Sequence, residues 1–297
     1  MSPATIARAV HGFIVSTLGI DRRHSYSCDV ALLRRASSVG LTSATRALPL
    51  GLCLVTDIEF RSDVSVELVR SSAHDSDVLF AARVSTQGEQ TLEASRQEAS
   101  PDDAKRDKGL LNYLMRDRHG SPFEHNSMTF YVQAPIFVFR EFMRHRIASY
   151  NEESGRYREL RPVFYVPAAD RNLIQVGKPG AYDFEPGTAE QIALTAEATK
   201  AAVTFAYEQY ERMLAAGVAR EVARGVLPVA TYSSMYVTMN ARSLMNFLSL
   251  RTKREGTHFP SFPQREIEMV AEKMEDAWAA LMPMTYETFN ANGRVAP

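Results

Sequence analysis

Between Pro135 and Arg161 an apolar segment runs directly into a dense cluster of charge, so the chain must bring a core element to the surface at that junction. Pro135-Ile-Phe-Val-Phe-Arg-Glu-Phe-Met143 predicts a buried helix. Proline suits a first helical position, where its missing N–H would have no partner, and Phe139, Phe142 and Met143 recur at helical spacing. Arg144, His145 and Arg146 are then expected at the C-terminal end of that helix. One cation there complements the helix dipole by about 0.3–1 kcal/mol. Successive helical positions lie about 100° apart, so the three side chains point in three directions and cannot serve one carbonyl cluster. Arg156, Arg158 and Arg161 follow, interleaved with Glu152, Glu153 and Glu159. Guanidinium forks grip phosphate bidentately, and interleaved acids suit a phosphorylated small molecule better than a nucleic-acid stripe. By composition alone, a phosphate site and a solvated surface loop both fit.

Composition narrows the class. The 297 residues are 45% hydrophobic and 23% charged, with a formal net charge of −1, which is ordinary for a globular chain. A nucleic-acid-coating protein would carry a basic excess. No uninterrupted apolar stretch reaches the roughly 18 residues of a membrane span. Two cysteines, Cys28 and Cys53, give neither a disulfide scaffold nor a zinc site, so a reducing cytoplasm is the expected setting. Residues 1–56 differ from the rest. They hold six arginines against two aspartates and no lysine, a formal +4, and are expected to be a disordered extension outside the folded domain of residues 57–297.

Along the chain, Val64–Val69 alternates and predicts a strand, followed by a short helix ending in Ala81-Ala-Arg-Val-Ser85. Residues 87–107 are polar and charged and are expected to form a mobile insertion. Leu110–Met115 predicts a helix, and Asn126–Gln133 a strand. Asn151 and Glu152 fall on a turn-like loop, and 162–187, rich in proline, glycine and aromatics, on a loop excursion. Thr188–Ala216 predicts a long amphipathic helix, and Tyr232–Asn240 another strand. His119-Gly-Ser-Pro-Phe-Glu-His125 invites a metal reading, but its six-residue gap spans a proline and no third ligand is evident, so no metal is expected. Ser154 has the look of a nucleophile without a histidine–acid pair at a recognisable elbow.

Four segments together carry a resemblance. Arg144-His145-Arg146, seven residues, then Ser154 is the RHR-x7-S pattern, and the fuller string RHRIASYNEESGRY resembles the flavin-dependent thymidylate synthases (the ThyX family). HGSPFEH resembles a further segment of that family, and GVAREVARGVLP (217–228) and NARSLMNFLSLR (240–251) resemble two of its helices. The similarity runs from about Asp57 to Leu281, roughly three quarters of the chain. Its implied fold is α/β (α+β), a central, mostly antiparallel sheet flanked by long helices, assembled as a homotetramer with sites shared between subunits.

The resemblance also implies an activity: reductive methylation of dUMP to dTMP, with 5,10-methylenetetrahydrofolate as carbon donor and FAD, reduced by NADPH, as hydride source. Classical, unrelated synthases attack the pyrimidine with a cysteine. No cysteine follows Cys53 here, which fits the flavin route. By the same resemblance, Ser85, Ser121, Glu124, Arg144, His145, Arg146, Asn151, Glu152, Asn240, Arg242, Asn246 and Leu250 are implied to contact the flavin. Glu141, Arg144, Ser154, Gly155, Arg156, Arg224 and Arg251 are implied to hold dUMP. Arg251 faces the uracil, and His119 lies beside the reacting pyrimidine or folate. His125 is expected to be structural, and Leu244, Phe247 and Leu248 to form the core face of their helix. The pattern breaks after Arg251: residues 252–263 are longer than in the family, and a family histidine lacks an in-register match, a role that falls to His258 from the insertion. Rival readings are another flavoprotein reductase or oxidase on the same fold, an RNA-binding module and a serine hydrolase. Balanced charge opposes the second.

Overall fold

Two segments whose residues alternate between apolar and polar, 127–135 and 232–239, become neighbouring strands of one antiparallel sheet. The computed structural model describes residues 57–94 and 101–297; the expectation for 1–56 lies outside them. The described elements are β1 (Glu59–Arg61), β2 (Ser65–Ser72), α1 (Asp75–Gln87), α2 (Gln90–Ala94), α3 (Pro101–Arg116), β3 (Ser127–Pro135), α4 (Ile136–Phe142), β4 (Ser149–Glu152), β5 (Val163–Tyr165), β6 (Ile174–Lys178), β7 (Ala181–Glu185), α5 (Ala189–Ala215), α6 (Arg220–Ala223), β8 (Tyr232–Met239), α7 (Ala241–Arg251), α8 (Arg265–Leu281) and α9 (Pro283–Ala291). Short 3-10 turns cover Ser121–Glu124 and Arg224–Val226.

The main sheet runs β2-β3-β8-β4, antiparallel throughout, with Phe130 opposite Val237 and Tyr150 opposite Val237 on its other side. Met128, Phe130 and Val132 of β3 and Met235, Val237 and Met239 of β8 are buried. That face packs on Phe139 and Phe142 of α4, Leu244, Phe247 and Leu248 of α7, and Val270, Met274 and Trp278 of α8. The opposite face carries Thr129, Tyr131, Thr238 and Tyr236, joined by a Thr129–Thr238 hydroxyl contact of 2.9 Å and a Tyr131–Tyr236 ring contact. One buried and one polar face is the usual economy of an antiparallel sheet, and it dictates the period-two pattern. β1 and β5 form a separate parallel pair, and β6 and β7 a hairpin. The expectation of a mixed fold around a mostly antiparallel sheet therefore holds.

Helix α5 begins at Thr188, whose hydroxyl accepts from Gln191 N while Gln191 Oε1 accepts from Thr188 N, a reciprocal cap. It buries Val203, Tyr207 and Tyr210 against Phe164 of β5. Asp75 at the start of α1 accepts from Met284 N, Thr285 N and Thr285 Oγ1. A buried carboxylate from a distant helix thus caps α9, satisfying donors that helix starts leave free.

Several expectations are corrected. Within 87–107 the chain is helical at α2 and from Pro101 onward; Pro101, Asp102 and Asp103 are helix-starting residue types that the high polarity masked. Within 162–187, β6 and β7 meet across Pro179-Gly180, with Gly180 at φ +84, the conformation that the third position of a Pro-Gly turn requires. The Gly217–Pro228 segment forms only the four-residue α6 and a 3-10 turn. Pro135 is the last residue of β3 and the cap of α4, one position before the helix proper.

Candidate active site

The apolar helix α4 stops at Phe142, with Met143 as its C-cap. Arg144, His145 and Arg146 therefore lie beyond the helix, on the connection to β4, and irregular backbone separates their side chains. Arg144 and Arg146 are exposed and form no ion pair among the described residues. His145 turns inward and is half-buried. Asn151 and Glu152, expected on a loop, are strand residues of β4, opposite Tyr236 and Met235. Pairing with β8 fixes their directions, which a loop would leave free.

Arg251, the last residue of α7, meets this connection. Its Nη1 donates to Glu141 Oε2 at 2.8 Å and its Nε to His145 Nε2 at 3.1 Å. The imidazole stands edge-on to Phe247 at 4.9 Å, and Phe247 stacks on Phe142 at 4.4 Å. Burial first, and then the Arg251 charge, push His145 down to about 4, so it is a neutral acceptor at physiological pH. The Tyr150 hydroxyl lies 3.0 Å from Phe142 O and 2.7 Å from His145 O, and burial pushes its ionisation up.

A second group surrounds the turn after β4. Gly155 is buried, and a Cβ there would come within 3.1 Å of Leu160 Cδ1 and 3.2 Å of Arg224 Cδ, so any other residue would push the Leu160 and Arg224 side chains back by a few tenths of an ångström. Ser154 Oγ accepts from Arg156 N at 3.3 Å, and Arg156 Nε donates to Glu221 Oε2 at 2.7 Å. Desolvation raises the Glu152 carboxyl, against opposing effects of a Ser233 hydrogen bond and of Arg140 and Arg224. Ser154, Gly155, Arg156 and Arg224 are thus brought together.

The third group is at the start of α7. Asn240 Oδ1 accepts from Ser243 N at 2.9 Å, and Asn126 Oδ1 from Ala241 N at 2.7 Å. Asn240 thus serves as the helix N-cap. Arg242 pairs with Glu124 of the 3-10 turn and donates from Nε to Pro297 O. Gly120 lies so close that a Cβ would fall 2.6 Å from Arg242 Cζ. Ser121, Asn246 and Leu250 are exposed, and Asn246 Nδ2 donates to Arg242 O. His119 is exposed with its ring 5.4 Å from Tyr113, and Ser85 is exposed in the last turns of α1. His125 is exposed at the end of the 3-10 turn, its backbone N–H on Pro122 O. His258 donates its backbone N–H to Gly293 O, and its ring packs against Phe259.

Sequence reasoning missed Asn126, Tyr150, Phe247 and Glu221 as supports. The partners of Asn126, Phe247 and Glu221 lie on distant parts of the chain, up to 115 residues away for Asn126 and Ala241, so no local spacing marks them. Tyr150 bonds to carbonyls five and eight residues back, across the connection from α4 to β4, which its residue type does not announce. A cavity of about 530 Å³ lies elsewhere, between β6–β7 and the start of α8. Its cations Arg171, Lys253 and Arg265 pair with Glu266, Asp183 and Glu268, and none of the residues implied for flavin or dUMP lines it. No group of three or more potential metal ligands occurs among the described residues.

An antiparallel sheet backed by helices, with Arg144 and Arg146 unpaired among the described residues beside a guanidinium–imidazole–carboxylate cluster, makes an α/β protein with a donor-rich surface of the kind that suits an anionic ligand. The thymidylate synthase complementing protein family model matches residues 67–284. A flavin-dependent thymidylate synthase from Streptomyces coelicolor is 68% identical over 241 residues, spanning 81% of this chain and 96% of that protein. One from Tropheryma whipplei is 58% identical over 246 residues, spanning 83% of this chain and 98% of that protein. The crystal structure of a UMP/dUMP methylase, PolB, from Streptomyces cacaoi bound with 5-Br dUMP is 56% identical, with a TM-score of 0.75, covering 81% of this chain and 100% of that one. The chain belongs to the flavin-dependent thymidylate synthase family.

Proposed function

We propose that this chain is a flavin-dependent thymidylate synthase that methylates dUMP to dTMP, with residues 57–297 as its catalytic domain. The observation that carries the reading is convergence: Glu141, His145 and Arg251, from motifs more than 100 residues apart, meet in one hydrogen-bonded cluster. The donor set fits a flavin dinucleotide and a nucleotide phosphate. Arg144 and Arg146 stand exposed without ion pairs among the described residues, and Arg156 and Arg224 flank the turn at Gly155.

FAD reduced by NADPH would supply the hydride and 5,10-methylenetetrahydrofolate the carbon. The protein's part is binding, orientation and electrostatics. Arg144, Arg146, Asn151, Glu152, Arg242 and Asn246 hold the flavin, with Ser85, Ser121, Glu124, Asn240 and Leu250 at its margins. Ser154, Gly155, Arg156 and Arg224 hold the dUMP phosphate, Arg156 exchanging Glu221 for the phosphate oxygens. Arg251 faces the uracil and stabilises negative charge developing on it. His119, exposed beside Tyr113, serves the folate, and His258 takes the place of the family histidine.

Assembly as a homotetramer agrees with apolar side chains left on the surface. Leu194 and Phe205 of α5 are 65% and 64% exposed, and Ile147 beside the arginine pair is 75% exposed. Leu194 and Phe205 are eleven residues, about three turns, apart and share one helix face. Among the described residues no helix is long and apolar enough to cross a membrane, and the expected setting is the cytoplasm.

The testing experiment is a visible absorption spectrum of purified protein with FAD, followed by anaerobic NADPH, then by dUMP with 5,10-methylenetetrahydrofolate. Yellow protein that bleaches with NADPH and regains colour only with both substrates supports the reading. Reoxidation that ignores dUMP would turn it into a flavin reductase. Glu152→Ala is expected to lower bound flavin per chain after gel filtration by about tenfold, the scale of one charge-assisted hydrogen bond. Unchanged flavin content removes Glu152 from the flavin site.

A further inference from the structure

Arg251 is held at two of its three nitrogens by unlike partners. Glu141 takes Nη1 at 2.8 Å with a carboxylate, and His145 takes Nε at 3.1 Å with an imidazole nitrogen. Nη2 makes no hydrogen bond among the described residues. A guanidinium is planar and rigid, so fixing Nε and Nη1 fixes where Nη2 points. His145 is fixed in its turn. Its ring rests edge-on against Phe247, which sits one turn before Arg251 on α7, and Phe247 is stacked on Phe142 of α4. The Tyr150 hydroxyl lies within 2.7 Å of the His145 carbonyl oxygen. The imidazole is therefore aimed at Arg251, which differs from the flavin contact that family resemblance implies for this histidine.

We propose that His145 is a positioning residue whose neutral imidazole accepts from Arg251 Nε and, with Glu141 on Nη1, presents Nη2 as the donor for the pyrimidine. This rests on the reading of Arg251 as the group facing the uracil. Since Nε2 accepts, the ring proton must sit on Nδ1. A protonated imidazole would have no lone pair to offer and would repel the guanidinium. Burial keeps the imidazole neutral, which suits this arrangement. Glu141 alone would leave Arg251 free to swing about one contact, and an error of 1 Å at a reacting centre costs about 100-fold.

The experiment compares His145→Phe, which keeps a ring on Phe247 but has no acceptor, with His145→Gln, whose Oε1 reaches the Nε2 position. His145→Phe is expected to lower kcat for thymidylate formation by about 10- to 100-fold with unchanged flavin per chain, and His145→Gln to restore most of it. In an Arg251→Ala background, His145→Phe is expected to add no further loss, because it acts through Arg251. An additive loss, an unchanged kcat, or a loss wholly accounted for by missing flavin overturns the proposal. Normal turnover of Arg251→Ala alone overturns the reading of Arg251 instead, so the two failures are separable. Should His145→Phe not fold, the ¹⁵N spectrum of histidine-labelled protein decides: a His145 ring protonated on Nδ1 at neutral pH is expected, and one protonated on Nε2 refutes the contact.

Discussion

Replacing Arg251 by alanine is expected to leave the flavin bound and to cut thymidylate formation by about two to three orders of magnitude, the scale of losing one donor aimed at a developing oxyanion. Arg251 reaches the site from the end of α7, and that helix is anchored independently: Leu244, Phe247 and Leu248 are fully buried and Asn240 caps its start. Removing the guanidinium should therefore spare the fold and the flavin contacts at Arg144, Arg146 and Arg242. Arg251→Lys is expected to be nearly as impaired. One ammonium cannot engage His145 Nε2 and Glu141 Oε2 in the geometry of a planar fork and still present a third donor. The check is steady-state dTMP production alongside the flavin absorbance of the same sample. Near-normal turnover with full flavin occupancy would remove Arg251 from the chemistry.

Glu275→Gln is expected to destabilise the fold by about 3–5 kcal/mol, because it breaks a buried pair from one side only. Arg294 is 4% exposed and Glu275 2%, with Arg294 Nη1 on Glu275 Oε1 at 2.6 Å and Arg254 Nη2 on Glu275 Oε2 at 3.0 Å. Neutralising Glu275 leaves the Arg294 guanidinium inside the protein without a counter-charge. In a domain of this size the loss corresponds to an apparent Tm lower by on the order of 10 °C. The network bears on the site as well. Arg294 Nη2 donates to Thr252 Oγ1 at 2.9 Å, and Ser261 Oγ donates to Thr252 O. Thr252 directly follows Arg251, so the buried pair anchors the 252–263 segment where it leaves the site. Thermal denaturation of wild type and variant measures the effect, and equal melting curves would show the pair to be replaceable by neutral hydrogen bonding.

Much of the sheet was legible because its two central strands obey the strongest local rule available. Met128, Phe130 and Val132 point one way and Thr129 and Tyr131 the other, and period-two alternation records which face is buried. The core face of α7 was legible for the same reason at helical period. Glu152 shows where local reading fails. Asn-Glu-Glu-Ser has the composition of a turn, yet pairing with β8 makes its first two residues a strand, and strand pairing is a tertiary choice. The polar start of α3 failed for the opposite reason: from Ala104 onward burial begins only at Leu111, and the sequence before it carries no apolar stripe to count.

The amino-acid sequence by itself determined which chemistry is present: the RHR-x7-S spacing, the NARSLMNFLSLR helix, and the absence of any cysteine after Cys53. It also fixed which residues can pair as core. Only the tertiary structure decided that His145 faces Arg251, that Glu141 holds the same guanidinium, and that Glu124 pairs with Arg242. These partners are 106, 110 and 118 residues apart. The first two meetings depend on α4 and α7 packing against the same buried sheet face and on where each helix ends, and the third on the Ser121–Glu124 turn lying against the start of α7; no local pattern encodes the relative position of such ends.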